Sequence, residues 1–448
     1  MNEYVQRVST NLHQLYGNET EYLQSVQAWL EMISPVIDSN PEYEKLDLLT
    51  RMVEPERVVS FLVPWQDDAG DYHTNHGYRV QFNSAIGPYK GGLRFHPALN
   101  AGVVKFLAFE QTYKNALSGL PIGGAAGGAD FDPHCKSDRE IMRFCQSFMM
   151  ALYRYIGSDS DVPAGDIGVG IKEIGYLYGE YKRLTGRAES GAITGKGLPY
   201  GGSKVRIEAA GFGAVYFLAR MLEHQGDTLE GKRIAVSGFG NMAWGVCRKA
   251  AQLGGKVVTL SGPDGYVYDA EGVTTTEKFD FMMHMRVACL DRVQHYADKF
   301  GVPFFAGKKP WETLVDIVIP CAIENEIDLD DAVRIVENGV KYYVEASNMA
   351  ATDNALKLLR HDPRIHTAGA KAAGSGGVIV SALEMAQNSL RYSWSRAEID
   401  ARLRNAMNAI YDASVLAAER YGLGYDLIAG NNIAAFEKIS NAMIAQGM

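Results

Sequence analysis

Residues 231–265 read GKRIAVSGFGNMAWGVCRKAAQLGGKVVTLSGPDG, and the fold turns on this run. RIAVSGF is a short β-rich stretch, AWGVCRKAAQLG has helical texture ended by glycines, and KVVTLSG reads as a second strand. Between the first strand and the helix lies GFGNMA (238–243), a G-x-G-x-x-A pattern in the strand–turn–helix context that gives such a pattern meaning. Gly238 permits a sharp turn, and Gly240 has no Cβ to hold a pyrophosphate away from the backbone. Asn241 begins the helix, and Ala243 allows close helix–strand packing. The helix N-terminus then offers an anion its unpaired N–H groups and a favourable dipole. Asp264 follows the second strand, where an acid accepts hydrogen bonds from an adenosine ribose. A carboxylate there repels a 2′-phosphate, and no Arg or Lys adjoins it, so NAD is expected over NADP. The plainer alternatives are a tight turn, and a turn aspartate, with no ligand.

Downstream, VDIVIPC (315–321) and KYYVEAS (341–347) are β-like runs spaced widely enough for intervening helices. Such alternation implies a parallel sheet with helices on both faces. Upstream, TGKGLPYGGSK (194–204) is glycine-rich and suits a hinge, and a helix follows over 211–224. Earlier still, RVVSFLVPW (57–65) and YRVQFNSAIG (78–87) read as neighbouring strands, and KFLAFEQTYKNAL (105–117) has helical spacing. A helix opens at Ser137, where SDRE forms a capping box ahead of Ile141, Phe144, Phe148 and Leu152. PIGGAAGGADFDP (121–133), with four glycines and three alanines before Asp130, reads as a permissive loop. The tail holds a long amphipathic helix over 400–421 and a last helix over 433–446.

With 448 residues the chain exceeds the roughly 250–300 that one core supports. The expectation is an α/β protein of two domains: residues 1–203 for substrate binding and oligomerisation, with a mixed sheet, and residues 204–424 as a Rossmann-like dinucleotide-binding domain. The C-terminal segment 425–448 is expected to pack back on the first. A net charge of −9 without a Lys/Arg run argues against a nucleic-acid partner. The N-terminus lacks a signal peptide's basic and apolar regions, and no window approaches the ~20 apolar residues of a membrane span. Cys135, Cys145, Cys247, Cys289 and Cys321 are odd in number, scattered and free of C-x-x-C spacing. They read as reduced, buried thiols of a cytoplasmic protein.

Three lysine- and acid-bearing pieces precede the dinucleotide motif. GPYKGGLRFHP places Lys90 before two glycines in a turn, FEQTYKNAL puts Gln111 and Lys114 on one helix face, and DVPAGDIGVG carries Asp166 in a rigid loop. Singly these are exposed lysines and a turn aspartate. Together they suggest a pocket for a small carboxylate.

At these motifs the chain resembles the hexameric bacterial-type glutamate dehydrogenases of the Glu/Leu/Phe/Val dehydrogenase family. The likeness runs from LLTRMVEPERV (48–58) through GYRVQFNSAIGPYKGGLRFHP to GYDLIAGNNIAAFEKISNAMIAQG. The resemblance implies NAD(P)-dependent oxidative deamination of glutamate to 2-oxoglutarate and ammonium, in a homohexamer. It implies that Lys90 and Ser381 bind the distal carboxylate, and that Lys114 and Gln111 bind the α-carboxylate. It further implies that Asp166 moves protons at the amino group, that Arg206 shapes the cleft, and that Asn348 contacts the nicotinamide ribose.

The chain departs from the family at one end of that site. The loop 121–133 resembles G-G-x-K-G-G, with Ala126 where the resemblance implies a catalytic lysine. Ala210 stands for a threonine, Gly374 and Ser375 fall where N-A-G-G is expected, and SNMAATD replaces a Pro-Thr-Thr turn. Three readings stay open: a glutamate dehydrogenase impaired at position 126, an NAD-dependent oxidoreductase for another carboxylate, and a non-catalytic paralogue.

Overall fold

The structure, a computed structural model, describes residues 2–288 and 290–447, so Cys289 lies outside the described residues. The chain forms two compact units, Met1–Lys204 with Val378–Ile399 and Asn432–Met448, and Val205–Gly377 with Asp400–Asn431. The segment 378–399, expected with the dinucleotide-binding part, groups instead with the first unit. A buried ion pair between Lys196 and Glu384 ties it there.

In the first unit β1 (Arg57–Gln66), β2 (Tyr72–Asn83), β3 (Tyr89–Phe95), β4 (Gly124–Ala129) and β5 (Asp161–Gly165) form one mixed sheet in the order β1-β2-β4-β3-β5. β1, β2 and β4 pair antiparallel, whereas β3 runs parallel to both β4 and β5. Two sequence expectations are corrected here. Lys90 lies in strand β3 rather than in a turn, and 121–133 is not a loop, because its centre is the fully buried strand β4.

The glycines of β4 answer to crowding. A Cβ at Gly124 would strike Thr112 on the helix Ala101–Leu117, and one at Gly127 would come within 3.0 Å of Leu93. Gly128 has φ +143° and lies against the Arg94 backbone, where a side chain would be strained. Strand-poor composition therefore hides a central strand. The other face packs the helix Asp138–Leu152, whose Ser137–Glu140 capping box forms and whose Ile141, Phe144, Phe148 and Leu152 are buried.

In the second unit β6 (Arg233–Val236), β7 (Lys256–Val257), β8 (Thr259–Gly262), β9 (Gly265–Tyr268), β10 (Phe304–Ala306), β11 (Ile317–Ile319), β12 (Tyr342–Val344) and β13 (His366–Ala368) build two sheets. The larger is wholly parallel, ordered β13-β12-β11-β6-β7. The smaller, β10-β9-β8, is an antiparallel meander. Strand order reverses between β6 and β11. In doubly wound sheets that switch point opens a crevice at the carboxyl ends of the strands. Among the described residues Cys145, Cys247 and Cys321 are buried, but Cys135 is exposed, contrary to the uniform burial expected. Among them, too, no helix is long and apolar enough to cross a membrane.

Candidate active site and dinucleotide crevice

In the first unit the register of the sheet gathers the predicted residues on one face. Leu93 pairs with Gly127 and points into the core, so its neighbour Gly92 and the adjacent Ala126 share the opposite face. A Cβ on Gly92 would lie 2.8 Å from the Asp166 Cβ, which places that aspartate over the glycine. Asp166 follows β5 directly, and its Oδ2 accepts from Arg94 Nε at 2.9 Å. Ala126 offers this face a methyl group that is 4% exposed.

Lys90 is 1% exposed, and its Nζ donates to Thr194 Oγ1 at 2.8 Å and to the Val162 carbonyl at 3.3 Å. Thr194 Oγ1 in turn lies 2.6 Å from Ser381 Oγ. The structure thus brings Lys90 and Ser381, 291 positions apart in the chain, onto one threonine hydroxyl. Sequence reasoning missed Thr194, although it begins the TGKG run. Just beyond it, Gly195 N donates to both Glu384 carboxylate oxygens at 3.1 Å, which fixes the loop against the helix bearing Ser381.

Gln111 and Lys114 are partly buried on the helix Ala101–Leu117. Gln111 Nε2 donates to Asn115 Oδ1 at 2.6 Å, and Asn115 Nδ2 donates to the carbonyls of Lys90 (2.9 Å) and Gly123. Asn115, which nothing in the pattern singled out, locks this helix to the start of β3 and to the entry of β4.

In the second unit Gly238 has φ +74°, and its N–H donates to Ser261 Oγ at 3.0 Å. Gly240 precedes the helix Asn241–Gln252, and a Cβ there would meet nothing within 4 Å, so the backbone faces open space. That helix has no side-chain N-cap and no acid in its first turn, Asn241 is exposed, and Ala243 is fully buried. These features suit a pyrophosphate.

Asp264 is occupied otherwise than expected. Its two oxygens accept from the backbone N–H groups of Val293 (2.9 Å) and Gln294 (3.0 Å), capping the helix Gln294–Phe300. Asn348 follows β12 in a turn tied down by Asn325, whose N–H donates to the Met349 carbonyl at 2.8 Å. Arg206 and Ala210 flank Gly377, a Cβ on which would lie 3.8 Å from Arg206 Nη1 and 3.7 Å from the Ala210 methyl.

The sequence matches the Glu/Leu/Phe/Val dehydrogenase dimerisation domain over residues 55–183 and Glutamate/Leucine/Phenylalanine/Valine dehydrogenase over residues 201–447. The chain belongs to the Glu/Leu/Phe/Val dehydrogenase family. It is 56% identical over 448 residues to the NAD-specific glutamate dehydrogenase of Clostridium symbiosum, covering 100% of both chains. It is 49% identical over 449 residues to the NAD-specific glutamate dehydrogenase of Bacteroides fragilis, covering 99% of each. A solved glutamate dehydrogenase superposes over 100% of both chains with a TM-score of 0.99 at 55% identity. Membership of this family makes the chain an oxidoreductase by descent, with the two-domain α/β architecture of its relatives.

Proposed function

We propose that this family member is an NAD-dependent oxidoreductase that takes glutamate, or a closely related dicarboxylate or amino acid, with its proton transfer altered at Ala126. The observation that carries the reading is the Lys90–Thr194–Ser381 chain on the sheet face shared by Gly92, Ala126 and Asp166. A buried ammonium beside two hydroxyls is a donor set made for a carboxylate.

In this reading Lys90 and Ser381 hold the distal carboxylate, Lys114 and Gln111 the α-carboxylate, and Arg206 helps to shape the cleft. Gly238, Gly240, Asn241 and Ala243 receive the pyrophosphate and Asn348 the nicotinamide ribose. Asp264, already capping a helix, discriminates against a 2′-phosphate by its charge, and the names of the NAD-specific relatives support NAD over NADP.

When bound, NAD supplies the acceptor for a hydride from the substrate Cα. Overall, glutamate, NAD⁺ and water give 2-oxoglutarate, ammonium, NADH and a proton. Asp166 takes and returns a proton at the substrate nitrogen, and Arg94 holds its carboxylate in place. The methyl of Ala126 moves no proton, so the water that hydrolyses the imine has no base at that position. Loss of one general base typically costs 10²–10⁴-fold in rate.

Ala126, Ala210 and Gly374 together favour a second reading, oxidation of a different carboxylate substrate without that water step. A non-catalytic paralogue is the third. Assembly as a cytoplasmic homohexamer goes with the family resemblance, and light scattering near six times the 49.1 kDa chain is its check.

The deciding experiment is NADH formation from glutamate and NAD by the wild-type protein and by Ala126→Lys. A gain of two or more orders of magnitude in the variant supports the glutamate reading. If both proteins bind NAD and neither turns over glutamate, that reading fails and a substrate screen follows.

A further inference from the structure

Two strand ends form the lips of the dinucleotide crevice, and one carboxylate joins them. Ser237 follows β6, and its hydroxyl donates to Glu326 Oε1 at 2.9 Å while accepting from Cys321 N at 2.8 Å. The N–H of Ala322, past the end of β11, donates to the same Glu326 oxygen at 3.2 Å. The next residue after Ser237 is Gly238, where a Cβ would already lie 3.2 Å from the Cys321 carbonyl. A single oxygen of Glu326 therefore sets how the first turn of the G-x-G-x-x-A motif sits against β11.

An amide could accept the same two hydrogen bonds, so the use of an acid calls for a reason. We propose that Glu326 is a positioning residue of the dinucleotide site whose proton is coupled to binding: the neutral carboxyl admits the pyrophosphate, and the ionised one opposes it. The inference rests on the dinucleotide reading above.

Burial pushes this carboxyl up to about 7, against the hydrogen bonds from Ser237, Ala322 and Ile323, which favour its ionised form. The groups around it do little to stabilise a negative charge. Lys309 is the cation that acts on it, and its Nζ is shared with Asp331 (2.6 Å) and Asp328 (3.3 Å). The Cys321 thiol and the Tyr343 phenol are both held neutral by burial. Tyr343 donates to Glu345, a second acid on β12's continuation, at 3.1 Å. A doubly charged pyrophosphate on the adjoining turn adds a like charge, and by linkage the nucleotide must then bind the protonated form more tightly.

The test is NADH affinity, read by nicotinamide fluorescence between pH 6.0 and 8.5, which needs no turnover. Wild-type protein is expected to lose affinity about 3- to 10-fold as pH rises, with a midpoint near neutrality. Glu326→Gln is expected to hold the tighter, low-pH affinity throughout. Ser237→Ala, which removes a hydrogen bond favouring the ionised carboxyl, should move the wild-type midpoint to higher pH. Calorimetry of wild-type protein at pH 7 in buffers of different ionisation enthalpy should show fractional proton uptake on NADH binding. A flat wild-type profile, the same slope in Glu326→Gln, an unmoved midpoint in Ser237→Ala, or zero proton uptake overturns the inference. Those results leave the dinucleotide reading standing, whereas absence of NADH binding at every pH overturns that reading and this inference with it.

Discussion

Arg94 on β3 holds Asp166, the residue after β5, through a 2.9 Å bond from Nε to Oδ2, with the Arg94 side chain 12% exposed and that of Asp166 36%. The guanidinium thus restrains the one acid that the sheet places over Gly92. Displacement of a reacting group by about 1 Å can cost on the order of 10²-fold. Arg94→Ala is therefore expected to lower kcat about 10- to 100-fold while leaving KM for glutamate within about 3-fold. The measurement uses whichever of the wild-type and Ala126→Lys proteins turns glutamate over. A change confined to KM would show that Arg94 binds substrate instead of placing Asp166.

Thr194 offers a second, separable prediction. Its hydroxyl accepts from Lys90 and meets Ser381, so Thr194→Val removes the group shared by two proposed carboxylate ligands at almost constant volume. A lost hydrogen bond to a charged group is worth about 1.5–3 kcal/mol. KM for glutamate is expected to rise about 10- to 100-fold, and NAD affinity to stay unchanged, because the dinucleotide turn lies in the other unit. A parallel loss of NAD affinity would mean that the variant disturbs the fold.

These two residues mark what the sequence could and could not yield. The strand–turn–helix around Gly238 was legible because glycine spacing, local β-content and helical periodicity all agree within about thirty residues. The helix at Ser137 was legible for the same reason, its capping box being local. β4 was not, because GAAGGA has no β-forming side chains, and its strand character comes from β2, β3 and the helix Ala101–Leu117 closing around it. KVVTLSG was read as one strand but divides into β7 and β8, which join different sheets, and β9, β10 and β13 were missed as runs of three or four residues, too short for periodicity to register. Thr194 meets Lys90 and Ser381 from 104 and 187 positions away, and Asn115 reaches the Lys90 carbonyl from 25, separations that leave no local signal. Asp264 was placed correctly after its strand, but the cap it provides for a helix 30 residues on carries no sequence signal.

Lys196 and Glu384, both without solvent exposure, make the stability prediction for the first unit. Lys196 Nζ donates to Glu384 Oε1 and to Asn388 Oδ1, each at 2.8 Å, and burial lowers the lysine from its ordinary range. Removing one partner leaves an uncompensated buried charge, which costs about 3–5 kcal/mol. Lys196→Met should therefore destabilise strongly, whereas Lys196→Met combined with Glu384→Gln, which removes the lone charge and keeps an acceptor for the Gly195 N–H, should recover much of the loss. Denaturant midpoints of the two variants check this, and a double variant no better than the single one would sink it.

Glu326 gives the pH dependence of stability, with its sign fixed by the direction of its shift. Its carboxyl goes from 4.5 up to about 7 on folding, chiefly through burial. Between those values the folded chain keeps a proton that the unfolded chain has released, so stability falls as pH rises across the interval and levels off above it. At 1.36 kcal/mol per pH unit the full effect is about 3.4 kcal/mol, and partial exposure of the residue trims it to about 2. Glu326→Gln cannot ionise, so at pH 5 it should match the wild-type protein closely, and at pH 8 it should melt at a higher temperature. An equal difference in Tm at both pH values would show that the amide acts through packing alone. A variant less stable at pH 8 than at pH 5, relative to wild type, would mean that the ionised carboxylate is a net stabiliser of the two strand ends and that burial does not dominate its titration.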